Sequence, residues 1–120
     1  MRRPIVLRSI LIAACLLISQ TTGLLGQRDL RELRDRAEEG SPAAQFNLAR
    51  LYVSGTGVPQ DDLEAVRWYR LAADQGHTAA QHNLGLRYDL GSGVAEDDAE
   101  AVRWYRLAAD QGHWEAQFRL

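Results

Sequence analysis

The chain has 120 residues, room for one domain, with 46% apolar residues and a formal net charge of −2. That balance gives no electrostatic footprint for nucleic acid, or for an anionic membrane surface, as the main partner. Cys15 is the only cysteine, so the chain beyond it has no disulfide and no thiol ligand and depends on packing alone.

At the N-terminus, Arg2, Arg3 and Arg8 precede an uncharged apolar stretch, Ile10–Ile18, and then the small or polar run Ser19–Gly23. A basic start, a short apolar centre and a small-residue exit describe a secretory signal peptide over residues 1–26. Two alternatives stay open. No residue from Ser9 to Gln27 is charged, which suits an uncleaved anchor over 9–27, but Ile10–Ile18 is well short of the ~20 residues that span a bilayer. Ile12-Ala13-Ala14-Cys15 also resembles a lipobox, which would leave Cys15 as a lipidated first residue. Against it, Leu16, Leu17 and Ile18 prolong the apolar run where a lipoprotein turns polar. Each reading exports the rest of the chain, to the periplasm or beyond.

Gln27–Glu39 is dense in charge, with Leu30, Leu33 and Ala37 as its apolar stripe. Opposite charges four residues apart, Arg31–Asp35, Glu32–Arg36 and Arg34–Glu38, support a helix. Residues 27–40 therefore read as an N-terminal capping helix, polar on one side.

From Ser41 the chain repeats itself. Shifted by 36 residues, Ser41–Gly76 matches His77–Gly112 at 24 of 36 positions, and E-A-V-R-W-Y-R-L-A-A-D-Q-G occurs twice, at Glu64–Gly76 and Glu100–Gly112. Self-similarity at this period marks an array in which each unit buries its apolar face on the next. The predicted repeats are 41–76 and 77–112, with an incomplete third at 113–120. In each, helix A starts near Ser41-Pro42 or at the equivalent 77–78, a serine or polar N-cap ahead of the first turn. Helices A are predicted at 42–53 and 78–89, and a third begins at Trp114 and stops at Leu120.

Gly55-Thr56-Gly57-Val58 and Gly91-Ser92-Gly93-Val94 follow as turns. They lack the length and the Lys-Ser/Thr ending of a phosphate-cradling loop. Helices B are predicted at 62–75 and 98–111. Asp61 with Glu64, and Asp97 with Glu100, form a capping-box pattern, and Gly76 and Gly112 stand at the left-handed exit. At 100° per residue, Ala65, Val66, Trp68, Tyr69, Ala72 and Ala73 share one face, where alanines admit a neighbouring helix and the rings fill its grooves. No period-two apolar runs suggest strands. The fold class is all-α, a short right-handed α/α solenoid of helix–turn–helix repeats.

The elements A-x-x-x-L-[AG]-x-x-Y, G-x-G-V, D-D-x-E-A-V-R-W-Y and A-A-D-Q-G, each present twice in register, resemble Sel-one-like repeats, a tetratricopeptide-like solenoid family. The resemblance covers roughly 38–120. Ala49 stands where Gly85 supplies a glycine, and Arg67 and Arg103 replace a frequent lysine. The resemblance implies a scaffold or adaptor that holds a protein or peptide on the concave face lined by helices A.

Candidate chemistry is sparse. Ser41, Ser54 and Ser92 sit at caps and turns, and the paired acids Asp61-Asp62 and Asp97-Asp98 suit helix N-termini, so no catalytic residue and no cofactor is assigned. His77 and His113 read as helix-start polar residues and His82 as a surface residue; no metal site is assigned, since no carboxylate or thiol shares a ligand-like spacing with them. The peptide-binding candidates are Phe46, Asn47 and Arg50, with His82, Asn83 and Leu86 in the second copy and Arg119 in the third. Asn47 and Asn83 can hydrogen-bond an extended backbone, with Arg50 or Arg119 on a carboxylate; alternatively, these asparagines bond to the adjacent turn and recur with the repeat. At the far end Trp104, Leu107, Trp114, Phe118 and Leu120 are predicted to form an association surface, covered by a second copy, a partner or further repeats.

Overall fold

A computed structural model of the protein describes residues 26–120; the predicted signal, anchor and lipobox readings fall outside them. The chain divides into two compact units at Glu32/Leu33, and the second holds the repeats. Residues 26–38 are helical (α1). Five helices follow: α2 (Pro42–Ser54), α3 (Asp62–Asp74), α4 (Thr78–Leu90), α5 (Asp98–Asp110) and α6 (Trp114–Arg119). The predicted helices A are α2, α4 and α6, and the helices B are α3 and α5. Real ends differ from the predicted ones by a single residue, and α6 closes at Arg119.

The helices start where they do because each cap has a side chain that accepts a backbone N–H. The Ser41 hydroxyl accepts from Ala44 N at 3.3 Å. Asp61 and Asp97 carboxylates accept from Glu64 N and Glu100 N, both at 3.1 Å. The capping box is only half built, however. The Asp61 N–H donates to the Tyr52 carbonyl at 2.9 Å, closing the A–B turn, and Glu64 turns to Arg67 instead at 3.5 Å.

Between repeats one histidine does two jobs. The Gly76 N–H reaches the Ala73 carbonyl and the His77 N–H the Ala72 carbonyl, at 3.0 and 3.1 Å, with Gly76 at φ 88°, a Schellman exit for α3. The same His77 then caps α4, its Nδ1 accepting from Ala80 N at 3.2 Å. His113 repeats this before α6, at 3.3 Å from Ala116 N.

Each helix packs on its chain neighbours: α2 on α3, α3 on α4, α4 on α5, α5 on α6. Leu48 and Leu84 are fully buried at the centres of α2 and α4. Helix α4 lies so close to α5 that a Cβ on Gly85 would come within 2.8 Å of the Tyr105 ring. The second turn is tighter still: Gly93, at φ +76°, rests against the start of α3, and a Cβ there would collide with the Asp62 carbonyl.

Trp68 and Trp104 are buried by this stacking, as the alternation of rings and alanines implies. Trp104, at 4% exposure, is therefore core and not part of an exposed association surface. The guanidinium groups of Arg67 and Arg103 lie 5.4 and 5.0 Å from the two indole centroids.

A glutamine relay joins the repeats. Gln45 Nε2 donates to the Ala37 carbonyl at 3.1 Å, and Gln75 Nε2 donates to Gln45 Oε1 at 2.8 Å. One repeat on, Gln81 bonds Ala73 at 3.2 Å and Gln111 bonds Gln81 at 2.7 Å. Gln45 and Gln81 are buried, so the relay satisfies polar groups that packing removes from water.

Candidate peptide-binding groove

Helices α2 and α4 place Asn47 and Asn83, repeat-equivalent residues, along one groove of about 590 Å³. Arg50, Leu51, Val53 and Ser54 of α2, Thr56 of the turn, Tyr69 of α3, Arg87 of α4 and Leu33 of α1 complete it. Apolar Leu33, Leu51 and Val53 interleaved with polar Asn47, Arg50, Asn83 and Arg87 suit an extended polar ligand.

Tyr69 forms the floor. Its hydroxyl accepts from Asn83 Nδ2 at 3.5 Å, and burial pushes its pKa up, against the pull of the nearby Arg87 and Arg50 charges. Arg50 is exposed, with its guanidinium 5.8 Å from the Phe46 ring centroid. Arg87 is mostly buried; its NH1 is 3.5 Å from Asp62 Oδ1, and its Nε is buried without a partner among the described residues.

The other predicted binding residues lie elsewhere. Phe46 is half-buried and stacks on His77, with centroids 4.8 Å apart, and leans on Tyr69 at 5.9 Å. His82 is not a surface histidine. It is buried at 6% exposure and stacked on His113, with centroids 4.6 Å apart and planes at 24°. Leu86 is half-buried and does not line the groove. Arg119 pairs with Asp89 at 3.6 Å and sits 5.8 Å from the Tyr105 ring centroid. Tyr69 and Arg87 are groove residues that the sequence reading did not assign; Arg87 stands where the first copy has Leu51.

His82, His113 and Glu115 bring candidate ligand atoms within 4.8 Å of one another, a proximity that sequence spacing did not reveal. Donor chemistry weighs against a metal. His113 Nδ1 is an acceptor for the Ala116 N–H, so its proton lies on Nε2, and coordination there would require giving up the cap. Burial and the neighbouring His113 push the His82 pKa below its ordinary value, with Glu115, 3.8 Å away, pulling the other way. The cluster is a stacked core pair beside an exposed carboxylate.

With the groove and both repeats placed, comparison with known families decides the class. The Sel1 repeat model matches residues 42–77 and 78–113. The chain belongs to the Sel1 repeat family. Among solved structures, a Sel1 repeat protein from Oxalobacter formigenes is 44% identical with a TM-score of 0.74, over 75% of this chain and 68% of that one. The c5321 protective antigen present in uropathogenic Escherichia coli strains, which displays an SLR fold, is also 44% identical, with a TM-score of 0.71. That match covers 73% of this chain and only 19% of the antigen. Cysteine rich protein B (hcpB) of Helicobacter pylori shares the fold at 24% identity and a TM-score of 0.75, over 78% and 71% of the two chains. No curated protein matches.

Sel1 repeats are structural scaffolds that generally serve protein–protein interaction. In this Sel1 repeat chain, the groove is set by what the repeat copies and by what it does not. Asn47 and Asn83 are copied. Arg50 and Arg87 occupy non-equivalent positions, opposite Leu86 and Leu51 of the other copy, and converge only in three dimensions.

Proposed function

We propose that the protein is an exported Sel1 repeat module that binds a protein or peptide along the concave groove of its A helices, as a scaffold or adaptor. The observation that carries this reading is the alignment of Asn47 and Asn83 along one open groove above the Tyr69 hydroxyl. Two amides one repeat apart suit the alternating donors and acceptors of an extended backbone. The test is a peptide array probed with the full chain and with Asn47→Ala/Asn83→Ala. Peptides retained by the first and lost by the second support the reading. Identical array patterns contradict it.

Export rests on the basic, apolar and small-residue sequence of 1–26. The mass of the protein recovered outside the cytosol tests it. Loss of about 22–26 residues is the outcome for a cleaved signal. An intact N-terminus or a lipid on Cys15 favours a membrane-tethered assembly protein instead.

Leu107, Trp114, Phe118 and Leu120 form a second contact surface in this reading, with Trp114 65% and Phe118 85% exposed. A monomeric mass in dilute solution, with no binding of a hydrophobic dye, contradicts it.

A further inference from the structure

Resting on the groove reading above, we infer that the ligand carries a carboxylate, held between Arg50 and Arg87 over the Tyr69 hydroxyl. Three observations lead there. Arg50, Tyr69 and Arg87 line the same groove, and among the described residues no Asp or Glu lines it. Arg50 has no acidic partner among the described residues, whereas Arg87 has only the 3.5 Å contact with Asp62, which leaves its buried Nε unpartnered. That Nε is closed to solvent and to a ligand alike; what the groove offers is the rest of two guanidinium groups with one acidic contact between them, and a bound carboxylate would add charge-assisted hydrogen bonds to them.

The second repeat supplies the contrast. There the equivalent tyrosine, Tyr105, donates to Asp89 at 3.3 Å, and Asp89 in turn holds Arg119 at 3.6 Å. Asp89 replaces Val53, so there the repeat supplies its own acid beside the tyrosine and the arginine. Around Tyr69 valine stands at that place, and among the described residues no acid joins the phenol to Arg50 of the first copy or Arg87 of the second. Because the two arginines stand at non-equivalent positions of the repeat, duplication alone does not account for their convergence.

A carboxylate reaches the groove from an Asp or Glu side chain or from the free C-terminus of a peptide. The experiment uses the full chain and fluorescence anisotropy with three labelled degenerate peptide pools. One carries internal Asp and Glu with both ends blocked, one has a free C-terminus and no acidic side chain, and one is neutral with both ends blocked. The expected result is binding of at least one carboxylate pool over the neutral pool. Arg50→Gln and Arg87→Gln each weaken it about tenfold or more, as loss of a charge-assisted bond implies. Arg103→Gln, on the outer side of α5, leaves it unchanged. Circular dichroism confirms that each variant is folded; Arg50, being exposed, keeps the test open if Arg87→Gln unfolds. Equal binding of the neutral pool, still lost in Asn47→Ala/Asn83→Ala, overturns the carboxylate and leaves the groove reading standing. Carboxylate binding unaffected by Arg50→Gln overturns the inference as well. Failure of all three pools to bind overturns both.

Discussion

His82 stacks on His113 in the same way that Phe46 stacks on His77 one repeat earlier, with ring centroids 4.6 and 4.8 Å apart. The second repeat has therefore put a titratable ring where the first has a phenyl. Burial lowers the pKa of both His77 and His82, and His113 adds to the effect on His82. Protons then bind the unfolded chain more readily than the folded one as pH falls below about 6.5, so stability is full above that pH and declines below it. A protonated His77 Nδ1 would also cease to accept the N–H that caps α4.

His82→Phe is accordingly expected to reduce the acid sensitivity. It copies the Phe46 arrangement and removes a buried Nε2 that has no partner among the described residues. Thermal melts at pH 7.5 and pH 5 check this. The variant should lose less stability between the two pH values than the wild type, with residual sensitivity from the His77 cap.

Trp68→Ala is expected to cost about 3–5 kcal/mol, a large part of what holds so small an array together. The ring is buried, with the Arg67 guanidinium over it at 5.4 Å from the centroid. Urea denaturation gives the loss. Acrylamide quenching gives an independent check, because Trp68 and Trp104 should be shielded while Trp114, 65% exposed, is quenched.

Gln81→Met keeps the volume but breaks the relay in the middle. It leaves the Ala73 carbonyl and the Gln111 amide without the bonds they have now, at 3.2 and 2.7 Å. The expected loss is about 1–3 kcal/mol, the net worth of two intramolecular hydrogen bonds, because the Ala73 carbonyl keeps the Gly76 N–H and the exposed Gln111 amide turns to water. Gln81→Glu should be worse at neutral pH, since a carboxylate cannot donate to the carbonyl, and should recover as pH falls and the acid becomes a donor. Chemical denaturation at two pH values separates the variants.

The helices were legible in the sequence because their signals are local. Ser41, Asp61 and Asp97 cap through atoms three residues away, and Gly76 and Gly112 take the positive φ that ends α3 and α5. The 36-residue identity then fixed which faces meet. What remained hidden depends on contacts between repeats. His82 looked polar and exposed, yet its place is inherited from Phe46, and comparing the two copies position by position is the signal that would have found it. Gln45 and Gln75 recur with the repeat, but their 2.8 Å bond spans thirty residues and no local pattern announces it. Trp104 repeats Trp68 and shares its packed face, and burial leaves it in the core and not on an association surface. The groove was half-visible: Asn47, Arg50 and Asn83 line it, while Arg87 joins from a position where the other copy has leucine.

Site-specific photocrosslinking in cells producing the full chain tests the groove most directly. A photoreactive amino acid replaces Ser54, exposed on the groove rim, or Arg103, exposed on the outer side of α5. The account predicts light-dependent adducts with another polypeptide from position 54 and none from position 103. Adducts from 103 alone, or equally from both, would contradict it.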